Sequence, residues 1–169
     1  MDNPGSLIYK RTDMHKEKWN ARYREKVPDE LGDANSQLRT ASASLKPGRA
    51  IDLAAGDGRN AIFLAERGWE VTAVDFSETG VERGKKIARK RGVSIQWIVK
   101  DLIEYHPPAD CFDLVCLMYL HIPRSELSTV LQRAAAALKP GGTLLVVGHD
   151  RSNIDKGVGA VSYTHLTLP

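Results

Sequence analysis

The sequence predicts a doubly wound α/β domain, a parallel sheet of five strands with helices on both faces. Three observations predict it. From Arg49 onwards, short apolar runs alternate with helical patterns, an order that needs right-handed crossovers and therefore parallel strands. The runs show little apolar/polar alternation, as in FDLVCLMYL and TLLVVG, which marks strands covered on both faces. The first run, in AIDLAAGDGRNA (Ala50 to Ala61), passes through a glycine turn straight into a helix. Open α/β sheets bind ligands at such a place.

The chain has 169 residues, the size of one domain, with 42% hydrophobic and 27% charged residues. No apolar run has the length of a membrane span, and MDNPGSLIYKR carries no signal-peptide pattern. A cytoplasmic protein with no membrane partner is expected. The formal charge of +3 is unevenly spread, with Lys10 to Lys26 and Arg83 to Arg91 both basic. Solvated faces of two helices account for this better than a nucleic-acid surface, because no aromatics for base stacking interleave the Arg83 to Arg91 cluster. Cys111 and Cys116 lack zinc-ligand spacing, so no metal is expected.

The elements follow in order. Residues 1 to 11 read as a loose terminus. Asp13 can cap a helix through about Lys26, which places His15, Trp19 and Tyr23 on one face, and Pro28 ends it. A second helix covers Asn35 to Leu45 with Leu38, Ala41 and Leu45 inward, before Pro47 and Gly48 turn the chain. Strand Arg49 to Ala54 leads to helix Asn60 to Arg67, stopped by Gly68. Strand Glu70 to Asp75 leads to a helix capped by Ser77 and ended by Gly92. Strand Ser94 to Val99 follows, then strand FDLVCLMYL after the Pro107-Pro108 loop. Pro123 starts a helix with Leu127, Val130, Leu131, Ala134 and Leu138 on its inner side, and Pro140, Gly141 and Gly142 end it before the fifth strand, TLLVVGHD.

The glycine turn carries the chemistry. Gly56 and Gly58 lack Cβ atoms, so a ligand can touch bare backbone. The next acidic residue that ends an apolar run is Asp75, close to the roughly 20-residue spacing of a ribose-binding carboxylate. Gly56, Gly58 and Ala61 also satisfy the dinucleotide pattern G-x-G-x-x-A. Against a pyrophosphate stand Asp57, between the glycines, and Asp52 on the same strand. Two negative charges here suit a ligand with a cationic part.

These residues point to a family. DLAAGDGRNAIFLAERGWEVTAVDFS resembles the first two motifs of class I S-adenosylmethionine-dependent methyltransferases, especially the small tellurite-resistance (TehB-like) group, with its GRN after the glycine loop. VKDL, FDLVCLMYLHIP and LKPGGTLLVVGHD are similar to the motifs at the third, fourth and fifth strands, and WNARY to an N-terminal helix that folds over the cofactor. The resemblance implies a Rossmann-like fold and an enzyme that transfers a methyl group from S-adenosylmethionine to a small molecule such as a thiol, a metalloid oxyanion or a metabolite. It implies that Gly56 and Gly58, with Ala54 and Asn60 in the same loop, face the methionine moiety, and that Asp52 stabilises its ammonium. Asp75, followed by Phe76 and Ser77, would accept the ribose hydroxyls. Asp101 would take the adenine amino group, with Leu102 and Phe76 on the ring faces. Ala54 and Ala55 depart from the Gly and Cys or Thr of many relatives.

A proton acceptor would come from His121 or His149, at the ends of the fourth and fifth strands. Trp19, Arg22, Tyr23 and Tyr119 are expected on the substrate side. The resemblance divides the chain into an N-terminal cover (1 to 48) and a cofactor-binding domain (49 to 159). Two other readings stay open: a nucleic-acid-binding module with a vestigial pocket, and an NAD-dependent oxidoreductase.

VSYTHLTLP, Val161 to Pro169, resembles a translated sequencing adapter: transposon-adapter DNA read in this frame gives all nine residues. Residues 160 to 169 are therefore set aside as a non-native tail. Relatives continue past the fifth strand with a helix and an antiparallel hairpin. A chain without them is expected to leave that strand an open edge and to be poorly soluble or inactive.

Overall fold

The computed structural model describes residues 15–149 and 161–167. One six-stranded sheet has the order β3-β2-β1-β4-β5-β6, formed by β1 (Arg49–Leu53), β2 (Glu70–Asp75), β3 (Ile95–Val99), β4 (Phe112–Met118), β5 (Leu138–His149) and β6 (Val161–Thr167). The first five strands are parallel; β6 runs antiparallel to β5. The helices are α1 (residues 15–24), α2 (Ser36–Ser42), α3 (Arg59–Ala65), α4 (Glu78–Lys90) and α5 (Arg124–Ala136). The predicted five-stranded, doubly wound architecture is present. The chain reverses its winding between β1 and β4, which lie side by side, so their carboxyl ends border a crevice.

The strands are apolar because both faces are covered. Ala50, Leu114 and Cys116 join α2 and α3 in one core, whereas Ile51, Leu53, Val115 and Leu117 pack with α5 in the other. Alternate residues of β1 therefore enter different cores, and Asp52 shares the face of Ala50. Local capping fixes where the helices begin. The Asn35 side chain accepts the amides of Gln37 and Leu38 to start α2, and the Ser77 hydroxyl accepts the amide of Gly80 to start α4.

Three expectations change. The fifth helix stops at Ala136, so Leu138 belongs to β5 and not to the helix. The Lys139 to Gly142 stretch is a bulge inside β5: Phe112 pairs with Leu138, but Leu114 pairs with Thr143. A Cβ on Gly142 would lie 2.9 Å from the Lys139 oxygen and 3.0 Å from that of Phe112, and Gly141 has φ +77°, so the two glycines are needed by the bulge rather than by a helix end. Val161–Thr167, set aside in the sequence reading, forms β6 and covers the β5 edge that was expected to stay open. Backbone pairing explains this, since an edge accepts any segment rich in Val, Tyr and Thr, whatever its origin. The loose terminus and the Asp13 cap fall outside the described residues.

Candidate active site

A cavity of about 920 Å³ opens at the carboxyl ends of β1 to β4, with α1 as its outer wall. The backbone at its floor is unusual. Ala54 and Tyr119, just past the ends of β1 and β4, both have positive φ, +66° and +55°. Left-handed conformations at non-glycine residues are uncommon and concentrate at functional sites. They also explain the departure at position 54: the turn requires a conformation that glycine adopts without strain, and Ala54 takes it regardless.

Asp75 organises the loops. Its Oδ2 accepts the Gly56 amide at 2.8 Å and its Oδ1 accepts the Ser77 amide at 2.8 Å, which ties the glycine loop to the start of α4. Ser77 in turn donates to Asn20 of α1 at 2.6 Å. Burial pushes the Asp75 carboxyl above its ordinary range; the two amides oppose this, and the charge of Asp57 adds to it. Asp52 is more extreme. It is 1% exposed, and neither carboxylate oxygen has a hydrogen-bond partner among the described residues. Burial, then the charge of Asp75, pushes it up to about 7, while Arg59 and the Ala61 amide, which falls short of a hydrogen bond, pull it down. The neighbouring Cys116 thiol, paired in register with Asp52, is pushed up by burial and by that same carboxyl.

Asp57 behaves differently from expectation. It is buried, and Lys26 at 2.6 Å and Arg83 at 3.4 Å neutralise it. Its charge is consumed inside the protein, so the case for a cationic ligand rests on Asp52 and Asp75. Most of the α4 basic cluster is engaged similarly, through Arg83, Lys85–Glu82, Lys90–Asp29 and Arg91–Glu66.

The predicted site residues divide into two groups. Trp19, Arg22, Tyr23, Ala54, Gly56 and Asn60 line the cavity, as do Asp75, Phe76, Asp101, Leu102, Tyr119 and His121. Asp52, Gly58 and Ser77 do not; Asp52 lies beneath it and Ser77 caps α4. Of His149 only the backbone, in β5, is described. Several liners also hold the scaffold. Asn60 accepts the Asn35 amide at 2.9 Å. Asp101 accepts the Ile103 amide through Oδ1 at 2.9 Å, making a turn at the end of β3.

The two glycines have different uses. A Cβ on Gly58 would lie 2.2 Å from the Trp97 ring, which also fills the space above Gly84. A Cβ on Gly56 would lie 2.1 Å from the Tyr23 hydroxyl, which rests on the loop with Trp19 stacked beside it at 6.0 Å. Burial and the charges of Asp75 and Asp57 push the Tyr23 phenol well above its ordinary range. Sequence reading missed Trp97, Arg59 and Glu126. Arg59 was visible beside the glycine loop, in GRN. Nothing local could place Trp97 against two glycines from other elements, or the first turn of α5 on the cavity wall.

The family model described as "Methyltransferase domain" matches residues 50–142, from β1 into the β5 bulge. The chain belongs to this methyltransferase family. It is similar to the ubiquinone biosynthesis O-methyltransferase of Coxiella burnetii, 27% identical over 159 residues, covering 93% of this chain and 65% of that one. It is also similar to the tRNA 5-carboxymethoxyuridine methyltransferase of Escherichia coli, 36% identical over 132 residues, covering 72% and 49%. TehB from Haemophilus influenzae shares the fold, with a TM-score of 0.63, 20% identity and coverage of 67% and 43%. The chain thus spans about half to two thirds of the length of these curated relatives. Membership of a methyltransferase family implies S-adenosylmethionine as methyl donor. No helix among the described residues is long and apolar enough to cross a membrane.

Proposed function

We propose that the cavity binds S-adenosylmethionine and that the chain transfers its methyl group to a small-molecule acceptor. The observation that carries this reading is the Asp52 carboxyl, buried without a partner beneath the glycine loop. A buried carboxylate is costly unless a cation compensates it, and an amino-acid ammonium at Gly56, linked to Asp52 through water because Asp52 does not line the cavity, supplies one. Asp75 then accepts the ribose hydroxyls while its amide bonds hold it in place. Asp101 takes the adenine amino group, with Leu102 and Phe76 against the ring. When bound, S-adenosylmethionine supplies a methyl group already activated by its sulfonium charge. The protein's own contribution is orientation and exclusion of water: Trp19 and Tyr23 cover the loop, and Asn20 latches α1 to Ser77. Residues up to 48 serve as the cover, and residues 49 to 159 as the cofactor domain.

The finer placement in the tellurite-resistance group draws support from the GRN string, and the adapter origin of Val161 to Pro169 from its match in reading frame; resequencing the locus tests the latter. For the main reading, thermal shift and calorimetry with S-adenosylhomocysteine and NAD decide. Wild type is expected to be stabilised by the first and not the second. Asp75→Asn is expected to weaken S-adenosylhomocysteine binding by about tenfold to a hundredfold, the worth of a charge-assisted hydrogen bond. Stabilisation by NAD alone would replace this reading with an oxidoreductase.

A further inference from the structure

Two arginines line the cavity without ion pairs. Arg22, on α1, lies with its guanidinium 5.0 Å from the Trp19 ring centre. Arg59 is half-buried directly after the glycine loop. Among the described residues neither makes a hydrogen bond or salt bridge, whereas the cavity's lysines are paired: Lys16 with Glu78, Lys26 with Asp57 and Lys100 with Glu104. Both arginines line the same cavity as Tyr23, whose hydroxyl rests on Gly56. Two planar, permanently charged forks on the walls of one cavity are suited to binding carboxylates or other oxyanions.

The inference rests on the proposed cofactor, which carries one carboxylate. Arg59 is placed to take it, since it directly follows the glycine loop and lines the same cavity. Arg22 then remains, on the α1 wall and backed by Trp19. We infer that the methyl acceptor is anionic, with a carboxylate or comparable oxyanion held by Arg22 while Arg59 holds the carboxylate of the cofactor. The indole backs the Arg22 guanidinium, whose N–H donors stay available to an acceptor.

The test uses the whole chain at constant ionic strength. S-adenosylhomocysteine is compared with methylthioadenosine, which keeps the adenosine but lacks the amino-acid part. Arg59→Gln is expected to weaken S-adenosylhomocysteine about tenfold or more and to leave methylthioadenosine unchanged. With S-adenosylhomocysteine bound, acid and amide pairs such as benzoate and benzamide, or hexanoate and hexanamide, are titrated by calorimetry. The acids are expected to bind at least about tenfold more tightly than their amides. Arg22→Gln is expected to erase that preference without changing cofactor affinity, and Arg22→Lys to keep part of it. Equal binding of acids and amides, or a preference that survives Arg22→Gln, overturns the inference while the cofactor reading stands. Failure of wild type to bind either adenosine compound overturns both.

Discussion

Replacing Asp52 by Asn isolates a single buried charge. The folded carboxyl titrates at about 7 against an ordinary 3.8. Between those values the folded chain holds a proton that the unfolded chain has released. The unfolded state therefore binds fewer protons, and stability falls as pH rises through this window. At about 1.4 kcal/mol per pH unit the full loss is roughly 4 kcal/mol, of which about 3 kcal/mol lies between pH 4.5 and 8. The side chain is 1% exposed, so solvent screening takes little from this figure. Asparagine keeps the shape and cannot ionise. The expected outcome is that wild type loses about 3 kcal/mol more than Asp52→Asn across that range, roughly 10 °C in Tm for a chain of this size. Urea unfolding at both pH values measures it, and histidines and other common titrations cancel in the comparison. The same carboxyl must be ionised to hold an ammonium, so S-adenosylhomocysteine should bind wild type more tightly as pH rises towards about 7, and the variant should lose that slope. Parallel stability profiles for the two proteins would refute the assignment of a strained, unpartnered charge to Asp52.

Two further outcomes concern the loops. Gly58→Ala places a Cβ 2.2 Å from the Trp97 ring at φ +78°; left-handed strain and overpacking together should cost about 2–4 kcal/mol, measured by urea unfolding followed through tryptophan fluorescence. Ala54→Gly relieves the +66° φ and should raise stability by about 1 kcal/mol, after the greater freedom of glycine in the unfolded chain is counted; a loss of stability in the same assay would show that the turn does not strain Ala54.

The sequence by itself determined the five parallel strands, the Ser77 cap and the Asp75 and Asp101 carboxylates of the cavity. Apolar runs of strand length, Ser77 as a cap, and the distance from Gly56 to Asp75 are local or evenly spaced signals, and such signals survive without knowledge of packing. Tertiary structure decided what those residues face. Gly58 is small because Trp97, from β3, crosses over it. Asp57 is paired within the protein because Lys26, just past α1, and Arg83, on α4, both reach it. Leu138 leaves the helix because Phe112 pairs with it across the sheet. Asp52 is charged in the sequence but titrates near neutrality in the fold, because burial removes water from a carboxylate that no neighbour replaces it for. Each of these depends on contacts between distant segments, and no window of the chain contains both partners.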